Sequence, residues 1–310
     1  MLAALGREAV ARLRPHFGPK RTLQVPQSRK FSIEGERVIE PISQEHFSAL
    51  KRTVGLPNGL QLAYIEMGDP NGVPILLLRG FTDSARSWSL TAPYLAADFR
   101  VLAPDLRGHG HSDRPDGCYT IPEMANDIRF LIVALDLAPC HLVGHSLGGR
   151  LAQAIAERWP EIVGRIVLLS TSAALRERRG WLWDNIQMLR DPIDPESAFM
   201  REWCSGAVPV DENFLAHARR ESAAVPSRIW RSIYYEQLAY DPSRLLQDID
   251  AATLILRGEE DMIATEVHQA QMKDAIVGAE LISLPGSGHN IHWEDPEKVA
   301  GLILTFLERP

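Results

Sequence analysis

Ser146 stands within Gly144-His145-Ser146-Leu147-Gly148. Asp261 closes Gly258-Glu259-Glu260-Asp261, and His289 ends Pro285-Gly286-Ser287-Gly288-His289. A serine hydroxyl is a poor nucleophile until a neighbouring base takes its proton. Histidine is the usual base, and a carboxylate holds it in the right tautomer. Together the three side chains could attack an acyl carbon, carry a covalent acyl-enzyme and hydrolyse it. G-x-S-x-G by itself turns up by chance in many chains, so the weight falls on what positions it.

His141-Leu142-Val143, just before the pentapeptide, is apolar and β-prone, and Leu151 to Arg158 after it reads as an amphipathic helix. Between a strand and a helix, G-x-S-x-G makes a sharp turn that lifts the serine above the sheet edge. The glycines are needed because a side chain there would meet closely approaching backbone. Thr253 to Arg257 is an apolar strand ending in the acidic turn that carries Asp261, and Ala279 to Leu284 is another, ending in the glycine-rich loop before His289. All three candidates thus follow strand carboxyl ends, where open α/β sheets place their sites.

The wider pattern supports this. Arg52 to Leu56 and Leu60 to Ile65 flank Pro57-Asn58-Gly59, a hairpin signal. Strands are then expected near 74–79, 100–103, 141–145, 165–170, 252–257 and 279–284, with helices near 86–97, 121–135, 147–158, 265–276 and 295–308. This alternation means βαβ units and a mostly parallel sheet. It breaks between about 173 and 248, which is helix-prone, interrupted by five prolines, and holds Trp181, Trp183, Trp203 and Trp230 together with Tyr234, Tyr235 and Tyr240.

The chain resembles the α/β-hydrolase superfamily, in its lid-bearing branch. Leu76 to Phe81, Ala103 to Ser112, the turn Gly144 to Gly148 (the elbow that carries Ser146), Gly258 to Asp261, and Gly288-His289 with Trp293 to Glu297 carry the resemblance. It implies a central, mostly parallel sheet flanked by helices, with an inserted helical cap. The corresponding organisation is an N-terminal arm over 1–48, a core of 49–172 and 249–310, and a cap over 173–248. It also implies Ser146 as nucleophile, His289 as base and Asp261 as the acid, with His145 pointing away and His292 three residues too late. The backbone N–H groups of Phe81 and Leu147 would form the oxyanion hole. Asp105 to Ser112, which looks catalytic, would be a conformational turn anchored by Asp105.

The family usually carries His-Gly before the oxyanion residue, whereas this chain has Arg79-Gly80. Two roles for Arg79 stand side by side, pairing with Asp83 or Asp105 and binding an acidic substrate group. The aromatics of the cap either pack it onto the body or line the pocket. Trp181, Trp183, Trp203 and Tyr234 are the candidates for substrate contact.

Haloalkane dehalogenases and epoxide hydrolases of the resembling fold attack with aspartate, so serine at 146 points away from both. The expected activity is hydrolysis of a carboxylic ester or lactone of a small-to-medium apolar substrate. The alternatives are C–C hydrolysis of a vinylogous diketone, cofactor-free haloperoxidase or perhydrolase chemistry, and a hydrolase-fold ligand receptor. No metal or cofactor is expected.

The 310 residues carry a net charge of −7, which argues against nucleic acid as a partner. The apolar share of 45% and charged share of 24% are those of a globular protein, and no run approaches a membrane span. Three cysteines without metal-like spacing, and no secretory apolar core at the N-terminus, lead to an expectation of reduced thiols in a cytoplasmic protein. Residues 1–37 hold eight Lys or Arg against three Glu, and Leu2, Leu5, Ala9 and Leu13 share one helical face. Such a basic amphipathic arm would pack on the body, on a second copy or on an anionic membrane surface. A homodimer would form through this arm or through the cap.

Overall fold

A computed structural model describes residues 42–175 and 180–309. The basic amphipathic arm lies outside the described residues. Eight strands form one sheet in the order β1-β2-β4-β3-β5-β6-β7-β8. They are β1 Arg52–Gly55, β2 Gln61–Met67, β3 Pro74–Leu78, β4 Arg100–Pro104, β5 Cys140–His145, β6 Val163–Leu169, β7 Thr253–Gly258 and β8 Glu280–Leu284. β2 pairs antiparallel with both β1 and β4, and β3 to β8 run parallel. The sheet is the mostly parallel one that the alternation of the sequence implied.

Parallel strands covered on both faces need apolar residues at every position rather than at every second one. β3 meets this with Ile75-Leu76-Leu77-Leu78, each fully buried. Successive side chains point to opposite faces. Leu76 and Leu78 accordingly join one hydrophobic cluster while Ile75 and Leu77 join another. The first cluster takes in the helices Ile121–Ala134 and Leu147–Arg158, and the second takes in Pro296–Leu307. The helix Gln44–Ala49 docks on the second through Phe47, which has no exposed surface.

The stretch 86–97, expected as one helix, is split into a 3₁₀ turn at Ala85–Trp88 and a single helical turn at Ala92–Leu95. Pro93 has no N–H to offer Ser89, so a helix cannot run through it but can begin there. Between β6 and β7 the described residues form four α-helices, Trp181–Met188, Ala198–Trp203, Glu212–Ala223 and Ser227–Ala239. Met200, Ile229, Trp230 and Ile233 of this insertion belong to the same cluster as the inner face of the sheet. The insertion is therefore packed down on the body. No helix among the described residues is long and apolar enough to cross a membrane.

Asp105, just past β4, anchors its turn. It accepts from the backbone N–H groups of Ala85 at 2.7 Å and His111 at 2.9 Å, and pairs with Lys51 at 2.7 Å. The Lys51 and Asp105 side chains are only 6% and 0% exposed. Removing one partner of a buried pair strands the other charge without water. Asp105→Ala is expected to destabilise the fold by about 3–5 kcal/mol, measured as a lower urea midpoint; an unchanged midpoint would contradict the anchoring role.

Candidate functional site

The strand pairing aligns the carboxyl ends along one edge. Leu78 faces Gly144, His145 faces Leu169, and Gly258 faces Leu284. Phe81, Ser146, Ser170, Asp261 and His289 all follow that edge. The edge includes the point where the chain order reverses about β3, with β4 on one side and β5 on the other. Such switch points open a crevice between diverging loops.

Ser146 leaves β5 with φ +50° and ψ −115°, a conformation that non-glycine residues adopt only under constraint. Strain of this kind costs roughly 1–3 kcal/mol and persists where surrounding contacts over-determine it. Those contacts are visible. The Ser146 N–H donates to Leu169 O at 3.0 Å, and Ser146 O accepts from Gly149 N–H at 3.0 Å and from the Thr171 hydroxyl at 2.6 Å. The glycines permit the approach: a Cβ on Gly144 would lie 2.4 Å from Gly148 O, and one on Gly148 would lie 2.1 Å from Leu78 O. Leu147 is the first residue of the following helix, so its N–H has no partner within the helix and the positive end of the helix dipole lies beside Ser146.

His289 Nδ1 lies 3.0 Å from Oδ1 and 2.9 Å from Oδ2 of Asp261. Asp261 is held in turn by the N–H groups of Ile263 at 2.8 Å and Ala264 at 2.9 Å, both donating to Oδ1. Its neighbours Glu259 and Glu260 are exposed, whereas Asp261 is buried. Burial opposes a charged His289, but the Asp261 carboxylate, aided by Asp83 and Glu294, outweighs it and raises the imidazole above the ordinary histidine pKa. Burial likewise opposes an ionised Asp261, yet His289 and the two N–H donors hold it below the usual carboxylate value.

The other two histidines are excluded by their environment. His145 Nε2 sits 3.0 Å from the His289 carbonyl oxygen, and burial, with His289 nearby, pushes its pKa down to about 3. His292 contacts Ser87 Oγ at 2.9 Å and packs on Trp88, and burial holds its pKa well below the ordinary value. Of these three, His289 is the one placed to exchange a proton near neutrality.

Ser146 and His289 line one cavity of about 450 Å³, part of it open to solvent. Phe81, Leu175, Leu182, Trp203, Tyr234 and Ile263 supply its apolar wall, and Arg150, Ser170, Thr171, Ser172 and Gln237 its polar lining. Trp203 and Tyr234 are thus where the sequence reading put them. Trp181 and Trp183 are not: Trp181 is 39% exposed and bonded to Glu202, and Trp183 packs on Tyr234 and Tyr235. Three consecutive helical residues point about 100° apart, and here Leu182 between the tryptophans faces the cavity.

Arg79 is also corrected as a substrate contact. It is fully buried and donates to Gly80 O at 2.6 Å. Burial lowers its pKa to about 10, partly offset by Asp83 and Asp105. It underlies the loop after β3 without reaching the cavity. That loop is held from the opposite side by the insertion. Thr82, at φ +69°, receives a hydrogen bond from Trp203 Nε1 at 2.9 Å, and Ser222 Oγ donates to Thr82 O at 3.2 Å. Glu221 binds Ser84 Oγ and accepts from Arg86 Nε at 2.8 Å. Phe81 packs edge-on against Trp203 and Trp230.

Sequence reasoning missed the polar lining of the cavity, Arg150 and Ser170 above all. The spacing of Arg150 was a usable signal, because a residue four after the elbow serine returns to the same helical face.

Residues 75–302 match the model of the alpha/beta hydrolase family. A serine hydrolase-like protein of Danio rerio is 39% identical over 273 residues, covering 78% of this chain and 83% of that protein. An uncharacterized protein of Mycobacterium tuberculosis is 39% identical over 260 residues, covering 77% of this chain and 76% of its own. Among solved structures, an N-acyl homoserine lactone degrading enzyme aligns with a TM-score of 0.69 at 28% identity, over 82% of this chain and all of that one.

Proposed function

Because the chain belongs to the alpha/beta hydrolase family, we propose that Ser146, His289 and Asp261 are the catalytic triad of a serine hydrolase that cleaves a carboxylic ester or lactone. The observation that carries this reading is the strained Ser146 sharing a largely apolar cavity with an imidazole already oriented by Asp261. The apolar wall suits a small-to-medium apolar acyl or alcohol group, enclosed beneath the helical insertion acting as a lid. Likeness to a lactone-degrading enzyme supports the same bond class.

On this reading the Ser146 oxygen attacks the acyl carbon as its proton passes to His289 Nε2. The N–H groups of Phe81 and Leu147 stabilise the tetrahedral oxyanion; one such donor is worth roughly 3–4 kcal/mol in the transition state. Collapse breaks the acyl–oxygen bond, and the departing alkoxide takes the proton from His289. Water then attacks the acyl-enzyme, giving its proton to His289, and release of the acid returns a proton to Ser146.

A fluorophosphonate probe followed by peptide mass spectrometry tests the assignment. Labelling at Ser146 that disappears in His289→Ala is the expected result; a folded protein that resists labelling would point to the receptor alternative.

The pH dependence has a definite sign. Catalysis needs neutral His289, whose pKa lies above 6.5, so kcat/KM is expected to be full on the alkaline side and to fall as pH drops through that raised value. His145 and His292 stay neutral over this range and add no limb. A flat kcat/KM from pH 5 to 8 would rule out the histidine base.

A further inference from the structure

Among the described residues, one charged side chain lines the cavity without a part in the proposed mechanism. Arg150 lies one turn into the helix that begins beside Ser146, and it is 2% exposed. Both of its side-chain hydrogen bonds go to neutral carbonyls at the end of the helix Ser227–Ala239. Nη1 donates to Gln237 O at 2.9 Å and Nη2 to Tyr240 O at 2.6 Å. Nε is buried and has no acceptor among the described residues. The Tyr240 ring stands 5.7 Å from the guanidinium carbon.

Anchoring that helix end accounts for the two Nη donors, because cations are favoured beside C-terminal carbonyls. It does not account for a full charge at the wall of a substrate cavity with one donor unused. Burying a guanidinium is unfavourable unless a negative group accompanies it. Burial accordingly draws the pKa of Arg150 down to about 10, with Tyr240 and Asp241 offsetting part of the effect. A second unused donor lines the same cavity. Ser170 Oγ is buried and without a hydrogen-bond partner among the described residues. Its backbone is fixed at φ +44°, and Thr171, Ser172 and Gln237 add further polar lining to the cavity.

We propose that this polar lining is a carboxylate subsite, in which Arg150 Nε and Ser170 Oγ bind a free carboxylate on the substrate. The substrate class is then an ester or lactone with an apolar body and a second, ionised acid group, such as the half-ester of a dicarboxylic acid. The proposal rests on the hydrolase reading for what happens to the bond, but binding can be measured apart from turnover. An unused N–H donor and a desolvated positive charge both favour carboxylate over a neutral ester, since hydrogen bonds to charged groups are the stronger class.

Ser146→Ala protein, unable to form an acyl-enzyme, is titrated calorimetrically with benzyl hydrogen glutarate and with its neutral methyl ester. The second pair, 3-carboxybenzyl butyrate and its methyl ester, puts the acid on the alcohol side. In at least one pair the carboxylate is expected to bind tenfold or more tightly than its neutral partner. Adding Arg150→Gln should bring that ratio within twofold. Arg150→Lys, which keeps the charge and loses the fork, should retain part of it, and this holds the test open if the glutamine variant melts. Ratios near one in both pairs, or a ratio that survives Arg150→Gln, would overturn the subsite. Fluorophosphonate labelling of unsubstituted Ser146 is read separately, so loss of labelling counts against the hydrolase and leaves the binding result standing.

Discussion

Ser146→Ala is expected to lower kcat by roughly 10⁴- to 10⁶-fold. The size follows from what is removed. The alanine protein has no atom with which to form the acyl bond, so the two-step route through a covalent intermediate closes. What remains is cavity binding and the two backbone donors of Phe81 and Leu147, which can still polarise a carbonyl toward direct attack by water. Residues that act as one unit are not additive in their removal. Ser146→Ala combined with His289→Ala should therefore be little worse than either alone. The measurement is steady-state hydrolysis of an ester panel by the single and double variants. Retention of a tenth of the activity by Ser146→Ala would refute the nucleophile, and multiplying losses would refute the shared step. The fold should survive, because the elbow's hydrogen bonds use the Ser146 backbone.

Asp261→Asn should cost up to about 10⁴-fold in kcat with little change in shape. Asp261 accepts at both oxygens from His289 Nδ1 and from two backbone N–H groups. An amide can keep only part of this pattern. Turned with its NH₂ toward His289, it meets a deprotonated Nδ1, and the proton moves to Nε2, where the base must be free. The substitution also removes the charge that raises His289, so residual activity should show an acidic limb at lower pH than the parent. The paired readouts separate this role from simple destabilisation, which would leave the limb in place. If Glu260→Gln proved the damaging change, the acid would be misassigned, although Glu260 is exposed.

The parts of this site legible in sequence were those set by local chain direction. A strand end, two glycines and a helix start suffice to place Ser146. The acid and base follow other parallel strands, whose carboxyl ends the sheet must gather at one edge. Arg79 was harder because its neighbours come from elsewhere: the sequence shows a charge beside the oxyanion loop, whereas burial of its side chain beneath that loop depends on how β3 sits between β4 and β5. Trp181 and Trp183 were misplaced for a related reason. Trp181 and Trp203 are of one residue type in one helical stretch, and which of them faces the cavity depends on how each helix is rotated against the body. No period within the helix specifies that rotation. Arg150 went unnoticed because an arginine in a helix reads as surface until the insertion is packed over it.

The loop that carries Phe81 is tied to the insertion at Thr82, Ser84 and Arg86, by Trp203, Ser222 and Glu221. The helices over the cavity are consequently no interchangeable hood. If Phe81 donates to the oxyanion as proposed, exchanging these helices is expected to alter substrate choice and, through the unhooked loop, turnover itself.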